Sequence, residues 1–187
     1  GIFLNSGQTC SAGSRLYVHR SVAERLVGHI CAVARDLRVG IGMDTDTQIG
    51  PLISAEHLER VFGFIVQAGR DGATVAAGGV RRPGTGYFLE PTVLTETRRG
   101  MSAVEQEIFG PVLCVSVFDS TDLDEIAELA NASVYGLAAY IWTRDLRSAH
   151  GLIRRLKAGS VRVNAGGGGD FALPVGGYKQ SGFGREN

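Results

Sequence analysis

Long apolar runs, an excess of either charge and a paired set of cysteines are all missing from this sequence. No apolar run approaches the ~20 residues that cross a bilayer, and no charged, apolar and small-residue leader precedes the first residues. A membrane partner is therefore not expected. Nineteen basic residues balance nineteen acidic ones, interspersed along the chain, so no basic stripe points to nucleic acid. The three cysteines are odd in number and lack metal-ligand spacing, and the four histidines are scattered without a zinc signature. Free thiols in a reducing compartment fit this usage better than a disulfide framework, which makes a cytoplasmic protein the expectation.

What the sequence does have is glycine, 27 residues of 187, against a usual share of ~7%. The glycines cluster in expected loops, where they permit close backbone approach. The length predicts one domain with a real core. Gly1-Ile2-Phe3-Leu4-Asn5 opens apolar and abruptly, and reads as the end of an element cut from something longer.

Periodicity predicts an α/β fold, a largely parallel twisted sheet with flanking helices. Residues 14–19 alternate as a short strand, with Leu16 and Val18 on one face. Ser21 and Glu24 read as a capping box opening a helix whose inward stripe is Val22, Leu26, Ile30, Val33 and Leu37. A second helix is expected from about Ser54, with Leu58, Val61, Phe62, Ile65 and Val66 inward, and Glu90-Pro91 excludes a helix from the glycine-rich stretch that follows. Residues 112–118, apolar on both faces, predict a central strand. A helix near 122–131, a strand at 137–142, a helix at 145–157 stopped by Gly159 and a strand at 160–164 then predict one β-α-β-α-β series. The glycines at 166–169 follow directly, as a connector or a loop hugging a ligand.

The cysteines separate by context. Cys31 falls at helical spacing between Val27 and Ala34, and Cys114 lies inside the two-faced apolar strand. Burial of this kind makes a thiol inert, so both read as packing residues. Cys10 stands among Thr9, Ser11 and other small or polar residues, where the sulfur is accessible and consecutive amides can face an oxyanion. Arg15 is the only cation close by in sequence, so any general base must come from elsewhere. From this pattern alone, a nucleophile and an ordinary loop cysteine both remain open.

Gly7-Gln8-Thr9-Cys10-Ser11-Ala12-Gly13-Ser14-Arg15 closely resembles the active-site cysteine segment of the aldehyde dehydrogenase family. Glu105-Gln106-Glu107-Ile108-Phe109-Gly110-Pro111-Val112 is similar to that family's E-x-F-G-P motif. A third match runs from Val163-Asn164 through Leu173-Pro174-Val175-Gly176-Gly177-Tyr178-Lys179-Gln180-Ser181-Gly182 to Gly184-Arg185-Glu186, and the order of the three also fits. The resemblance covers essentially the whole chain. It implies that Cys10 is the nucleophile, attacking an aldehyde to give a thiohemiacetal with its own backbone N–H aiding the oxyanion. A thioester and then a carboxylic acid follow. It implies that Glu107 holds the nicotinamide ribose hydroxyls of NAD or NADP with Phe109 beside them. Thr9, Ser11, Asn164 and Phe171 would shape the substrate pocket, and Lys179 and Arg185 would serve structure or subunit contacts.

The resemblance also implies a cofactor-binding domain ahead of this segment, no part of which is visible here. No glycine-rich phosphate loop follows a strand, and the family's general-base glutamate and oxyanion asparagine belong to that other part. The expectation is therefore a catalytic thiol domain, residues 1–187, of an aldehyde dehydrogenase, incompetent on its own. An apolar face left by the missing domain would favour a homo-oligomer. A redox-sensitive thiol domain without catalysis, half of a split enzyme, and a relative that passes the acyl group to a thiol stay open as alternatives.

Overall fold

A computed structural model describes residues 1–166 and 172–187, which divide into two compact units, one of residues 2–118 and one of residues 119–187 with Gly1.

The first unit is a sheet between helices. Its elements are β1 (Arg15–His19), α1 (Arg20–Asp36), α2 (Ala55–Arg70), β2 (Thr74–Ala77), β3 (Thr92–Thr95), the short α3 (Ser102–Glu105) and β4 (Val112–Phe118). Strand order is β1-β4-β3-β2, with β4 parallel to both neighbours and β2 antiparallel to β3. Alternate residues of a strand face opposite sides. Val112, Cys114 and Leu94 accordingly join Val61, Ile65, Met101 and Ile108 in one apolar cluster. Leu113, Val115 and Val93 join Val18, Ala23, Cys31 and Ala34 in the other. Residues 112–118 thus form a central strand as their composition predicts, buried on both faces over 112–115, while Val117 near its end is exposed.

The capping box at Ser21 does not form. The chain passes from β1 straight into α1, so His19 occupies the cap and its Nδ1 accepts from the Ser21 N–H at 3.2 Å. The inward stripe is also displaced: Ala23, Cys31 and Ala34 are buried, while Val22, Leu26 and Val33 are exposed. Small side chains let the helix axis lie close on the sheet, and that contact outweighs the larger apolar set one position away. In α2, Ser54 is the cap, accepting from the His57 N–H, and Val61 and Ile65 are buried as expected, although Val66 is exposed.

Cys114 sits at the middle of the sheet, opposite Arg15 of β1 and Leu94 of β3. Its thiol donates to the Ala103 carbonyl at 3.3 Å, and burial pushes its pKa up to about 12 from 9.0. The unfolded thiol ionises near 9 while the folded one resists, so the unfolded state binds fewer protons above that point. This contribution to stability is intact below pH 9 and is lost as pH rises towards 12. By pH 10 the loss is about 1 kcal/mol. Urea unfolding at pH 8 and pH 10 should show that decrement in the protein and a smaller one in Cys114→Ala; equal decrements would remove Cys114 as the cause.

The second unit contains α4 (Leu123–Asn131), β5 (Tyr135–Gly136), β6 (Ala138–Ile141), α5 (Leu146–Ile153), β7 (Ser160–Val163) and β8 (Tyr178–Lys179). Asp122 and Asp145 cap its helices, accepting from the N–H groups of Asp124 and of Arg147 and Ser148. β6, α5 and β7 form a β-α-β unit with parallel strands, and β5 pairs antiparallel with β8. The single β-α-β-α-β series expected across residues 111–164 is therefore divided. Both edges of β4 are taken by β1 and β3, which leaves none for β6. Gly159 does not stop α5 either. The helix ends at Ile153, and Lys157 N–H instead donates to Asn131 Oδ1 at 2.8 Å. Gly159 has another reason to be glycine, because a Cβ there would lie 1.7 Å from the Gly176 carbonyl oxygen. Among the described residues no helix is long and apolar enough to cross a membrane.

Candidate active site

Three consecutive residues before the Cys10 turn, Asn5, Ser6 and Gly7, have φ of 52°, 55° and 70°. Left-handed backbone costs an L-residue roughly 1–2 kcal/mol, so surrounding contacts must hold it. They do. Ser6 is buried and its hydroxyl donates to the Gly50 carbonyl at 2.8 Å. Gln8 accepts from Ile53 N–H at 3.0 Å and donates to the Pro51 carbonyl at 3.4 Å. Asn5 Nδ2 donates to the Gln8 carbonyl at 2.9 Å.

The strained run delivers the chain into a turn closed by Ala12 N–H donating to the Thr9 carbonyl at 3.0 Å. Cys10 and Ser11 are its central residues. Cys10 is exposed, while Thr9 and Ser11 are half-buried on either side. Cys31 and Cys114 are both buried, as their contexts predict. The one accessible thiol of the chain therefore lies on a turn whose approach is fixed from several directions.

Glu107 and Phe109 lie in the same unit, on the segment between α3 and β4. Helix α3 ends at Glu105, so Glu107 does not terminate a helical turn. Its side chain is exposed and its backbone is gripped. Arg60 of α2 donates to the Glu107 and Ile108 carbonyls, both at 2.7 Å, and His57 Nε2 donates to the Phe109 carbonyl at 2.8 Å. A carbonyl only accepts, so His57 carries a proton on Nε2. Phe109 has φ 59°, and its half-buried ring meets His57 edge-on with centroids 6.4 Å apart. The outcome is a carboxylate on a fixed backbone, two residues from an aromatic ring. Two carboxylate oxygens suit a pair of adjacent hydroxyls.

The Cys10 segment and the Glu107 segment touch directly. A Cβ built on Gly7 would lie 2.0 Å from the Gly110 carbonyl oxygen, so the backbones there are in contact. Arg15 reaches from β1 to donate through Nε to the Val104 carbonyl at 2.5 Å and through Nη2 to the Gln106 carbonyl at 3.2 Å. Sequence reasoning does not find these roles of Arg15, His57 and Arg60. The last two recur at helical spacing on the polar side of α2, a pattern that solvated residues share.

Asn164 lies in the second unit at the end of β7, with φ 52°. Its side-chain amide is committed to Thr143, accepting from the N–H at 3.0 Å and donating to the carbonyl at 2.9 Å. That geometry braces the ends of β6 and β7. Phe171 lies outside the described residues. Lys179 is structural. Its Nζ donates to the carbonyls of Asn131, Ser133 and Tyr135, at 2.8, 2.8 and 3.3 Å, and desolvation lowers its pKa. Arg185 donates to the Gly177 and Gly184 carbonyls and lies over the Tyr178 ring.

A sequence profile of the aldehyde dehydrogenase family matches residues 1–187. The mitochondrial aldehyde dehydrogenase of Leishmania tarentolae is 43% identical over 185 residues, 99% of this chain and 37% of that protein. The betaine aldehyde dehydrogenase of Brucella melitensis is 41% identical over 191 residues, 100% of this chain and 39% of that protein. Among solved structures, the NAD+ complex of an aldehyde dehydrogenase from Bacillus cereus superposes with a TM-score of 0.95 at 48% identity, over 100% of this chain and 38% of that one. A betaine aldehyde dehydrogenase from Staphylococcus aureus, in complex with NAD+ and carrying a BME-modified cysteine, gives 0.92 at 39% identity over 97% of this chain and 38% of that one. The chain thus spans well under half the length of these relatives, and all of it belongs to the aldehyde dehydrogenase family.

Proposed function

We propose that this chain supplies the nucleophilic thiol and the ribose contact of an enzyme that oxidises an aldehyde to a carboxylic acid with a nicotinamide dinucleotide. The observation that carries the reading is the backbone contact of Gly7 with Gly110, which joins the segment of an exposed thiol, Cys10, to the segment of an exposed carboxylate, Glu107, suited to a diol. The BME-modified cysteine of the staphylococcal relative supports a reactive thiol in such a protein.

In this reading the Cys10 sulfur adds to the aldehyde carbon and the carbonyl oxygen becomes an oxyanion facing the turn amides. The same carbon must then lose a hydride to become a thioester, and accepting a hydride is the chemistry a bound nicotinamide supplies. Water replaces the sulfur, releasing the acid and restoring the thiol. Glu107 fits the ribose because its carboxylate is exposed while Arg60 pins its backbone, which fixes the point from which the acceptor pair reaches out. Phe109 adds an apolar edge next to it. Thr9 and Ser11 border the aldehyde.

The 187 residues hold the thiol side of this chemistry, with the phosphate and adenine contacts and the general base assigned to a dinucleotide-binding domain elsewhere in the parent polypeptide. Loss of one oxyanion donor alone lowers rate by about 10²–10³. The test compares aldehyde-dependent NADH formation by this chain alone and by the polypeptide that joins it to that domain. Turnover with NAD only in the joined polypeptide is the expected result. Absence of aldehyde oxidation in the joined polypeptide, over a panel of aliphatic and aromatic aldehydes, would remove the reading. Turnover by the chain alone would show that 187 residues suffice.

A further inference from the structure

We propose that Arg15 is a positioning residue for Glu107, tying the placement of the ribose-binding carboxylate to the strand that follows the thiol turn; this rests on the function proposed above. Arg15 opens β1, just beyond the Cys10 turn, where Ser14 O accepts the Cys114 N–H at 2.9 Å and fixes the start of the strand. From there the guanidinium crosses to the end of α3. Nε donates to Val104 O at 2.5 Å and Nη2 to Gln106 O at 3.2 Å. Both acceptors lie at the C-terminal end of a helix, where carbonyls lack intrahelical partners and favour a cation. The second belongs to the residue directly before Glu107, so its peptide plane sets the direction in which the Glu107 side chain departs.

The other carbonyls of the turn are held too. Arg60 takes those of Glu107 and Ile108, His57 that of Phe109, and Val112 N–H donates to that of Gly110 at 2.7 Å. Arg60 and His57 attach the turn to α2. Arg15 attaches it to β1, just after the thiol turn, and Gly7, just before that turn, makes the backbone contact at Gly110. A planar fork suits this bridge better than an ammonium, because two carbonyls in fixed places are matched by two N–H groups in fixed places.

The experiment is a double-mutant cycle in the polypeptide that joins this chain to its dinucleotide-binding domain, read by NADH binding from nucleotide fluorescence rather than turnover. Glu107→Gln and Arg15→Met are each expected to weaken NADH binding about tenfold, and the double variant to bind no more weakly than the weaker single. Such non-additivity distinguishes positioning through Glu107 from general loosening. Arg15→Lys, which reaches one carbonyl of the two, should lose about threefold and stands in for Arg15→Met if that variant does not fold. Full additivity of the two effects would overturn the proposal. So would normal NADH binding in Arg15→Met and Arg15→Lys while Glu107→Gln is impaired, and the proposed function would then stand. Normal binding in Glu107→Gln would instead overturn the ribose role of Glu107, and the proposal with it.

Discussion

Cys10→Ser in the joined polypeptide should abolish aldehyde-dependent NADH formation, a fall of at least about 10⁴-fold, while leaving unfolding stability within ~0.5 kcal/mol. The chemical half of the expectation rests on the atom. A cysteine sulfur is intrinsically a strong nucleophile, whereas a serine oxygen needs an adjacent base poised to take its proton. The structural half rests on placement. Cys10 is exposed on a turn that the Thr9–Ala12 hydrogen bond closes through backbone atoms alone, and the hydroxyl leaves that bond untouched. The buried cysteines supply the contrast. Cys31→Ser and Cys114→Ser put a hydroxyl into apolar clusters and should lower stability by roughly 1–3 kcal/mol while catalysis survives in the folded fraction. Kinetics and urea unfolding of the three variants together decide the matter. If Cys10→Ser keeps more than about one per cent of the rate, the sulfur is not the nucleophile.

The difference in burial among the cysteines is readable from the amino-acid order, because burial follows periodicity. Cys31 and Cys114 each repeat with apolar neighbours, and Cys10 does not. The central strand at 112–118 is readable for the same reason: both of its faces are apolar. What cannot be read depends on partners distant in the chain. The capping box at Ser21 and Glu24 is a correct local pattern, but β1 runs without a break into α1 and gives the cap to His19. The buried stripe of α1 escapes the periodicity because Ala23, Cys31 and Ala34 offer less area yet admit closer approach to the sheet. Strand neighbours are hidden as well. Alternating helices and strands suggest one series, and only the capture of both β4 edges by β1 and β3 shows that β6 and β7 pair apart from it.

The motifs single out Cys10, Glu107 and Phe109 as candidates, but not what holds their segments. Arg15, His57 and Arg60 act on backbone carbonyls 89, 52 and 48 positions away in Arg15–Val104, His57–Phe109 and Arg60–Ile108. A carbonyl has no side-chain identity, so no residue pattern announces such a contact. The left-handed run at Asn5, Ser6 and Gly7 is equally silent, since asparagine, serine and glycine are common in any loop.

Gly7→Ala is the substitution in this site with the largest expected structural effect. Two separate penalties meet at this position. Alanine at φ 70° carries a left-handed cost of roughly 1–2 kcal/mol. Its Cβ would also lie 2.0 Å from Gly110 O and 2.8 Å from Pro111 N, distances that no real contact has. The obstacle is backbone and has little room to retreat. Gly110 O is engaged by Val112 N–H, β4 begins there, and on the other side Gly110 packs against Val61, where its own Cβ would fall 2.7 Å from a Val61 methyl. Overpacking of this kind costs about 1–3 kcal/mol, so the total loss should be about 2–5 kcal/mol. Relief must come from movement of the Cys10 turn, and a displacement of ~1 Å there should lower kcat about 10²-fold even in folded protein. Gly28→Ala is the matched control: it lies inside α1 with nothing within 4 Å of an added Cβ, and it should stabilise by about 0.5–1 kcal/mol. Opposite signs in urea unfolding for the two substitutions, with activity lost only at Gly7, would follow from a thiol turn seated on the Gly110 backbone. A Gly7→Ala protein as stable and active as its parent would mean that the two segments do not touch.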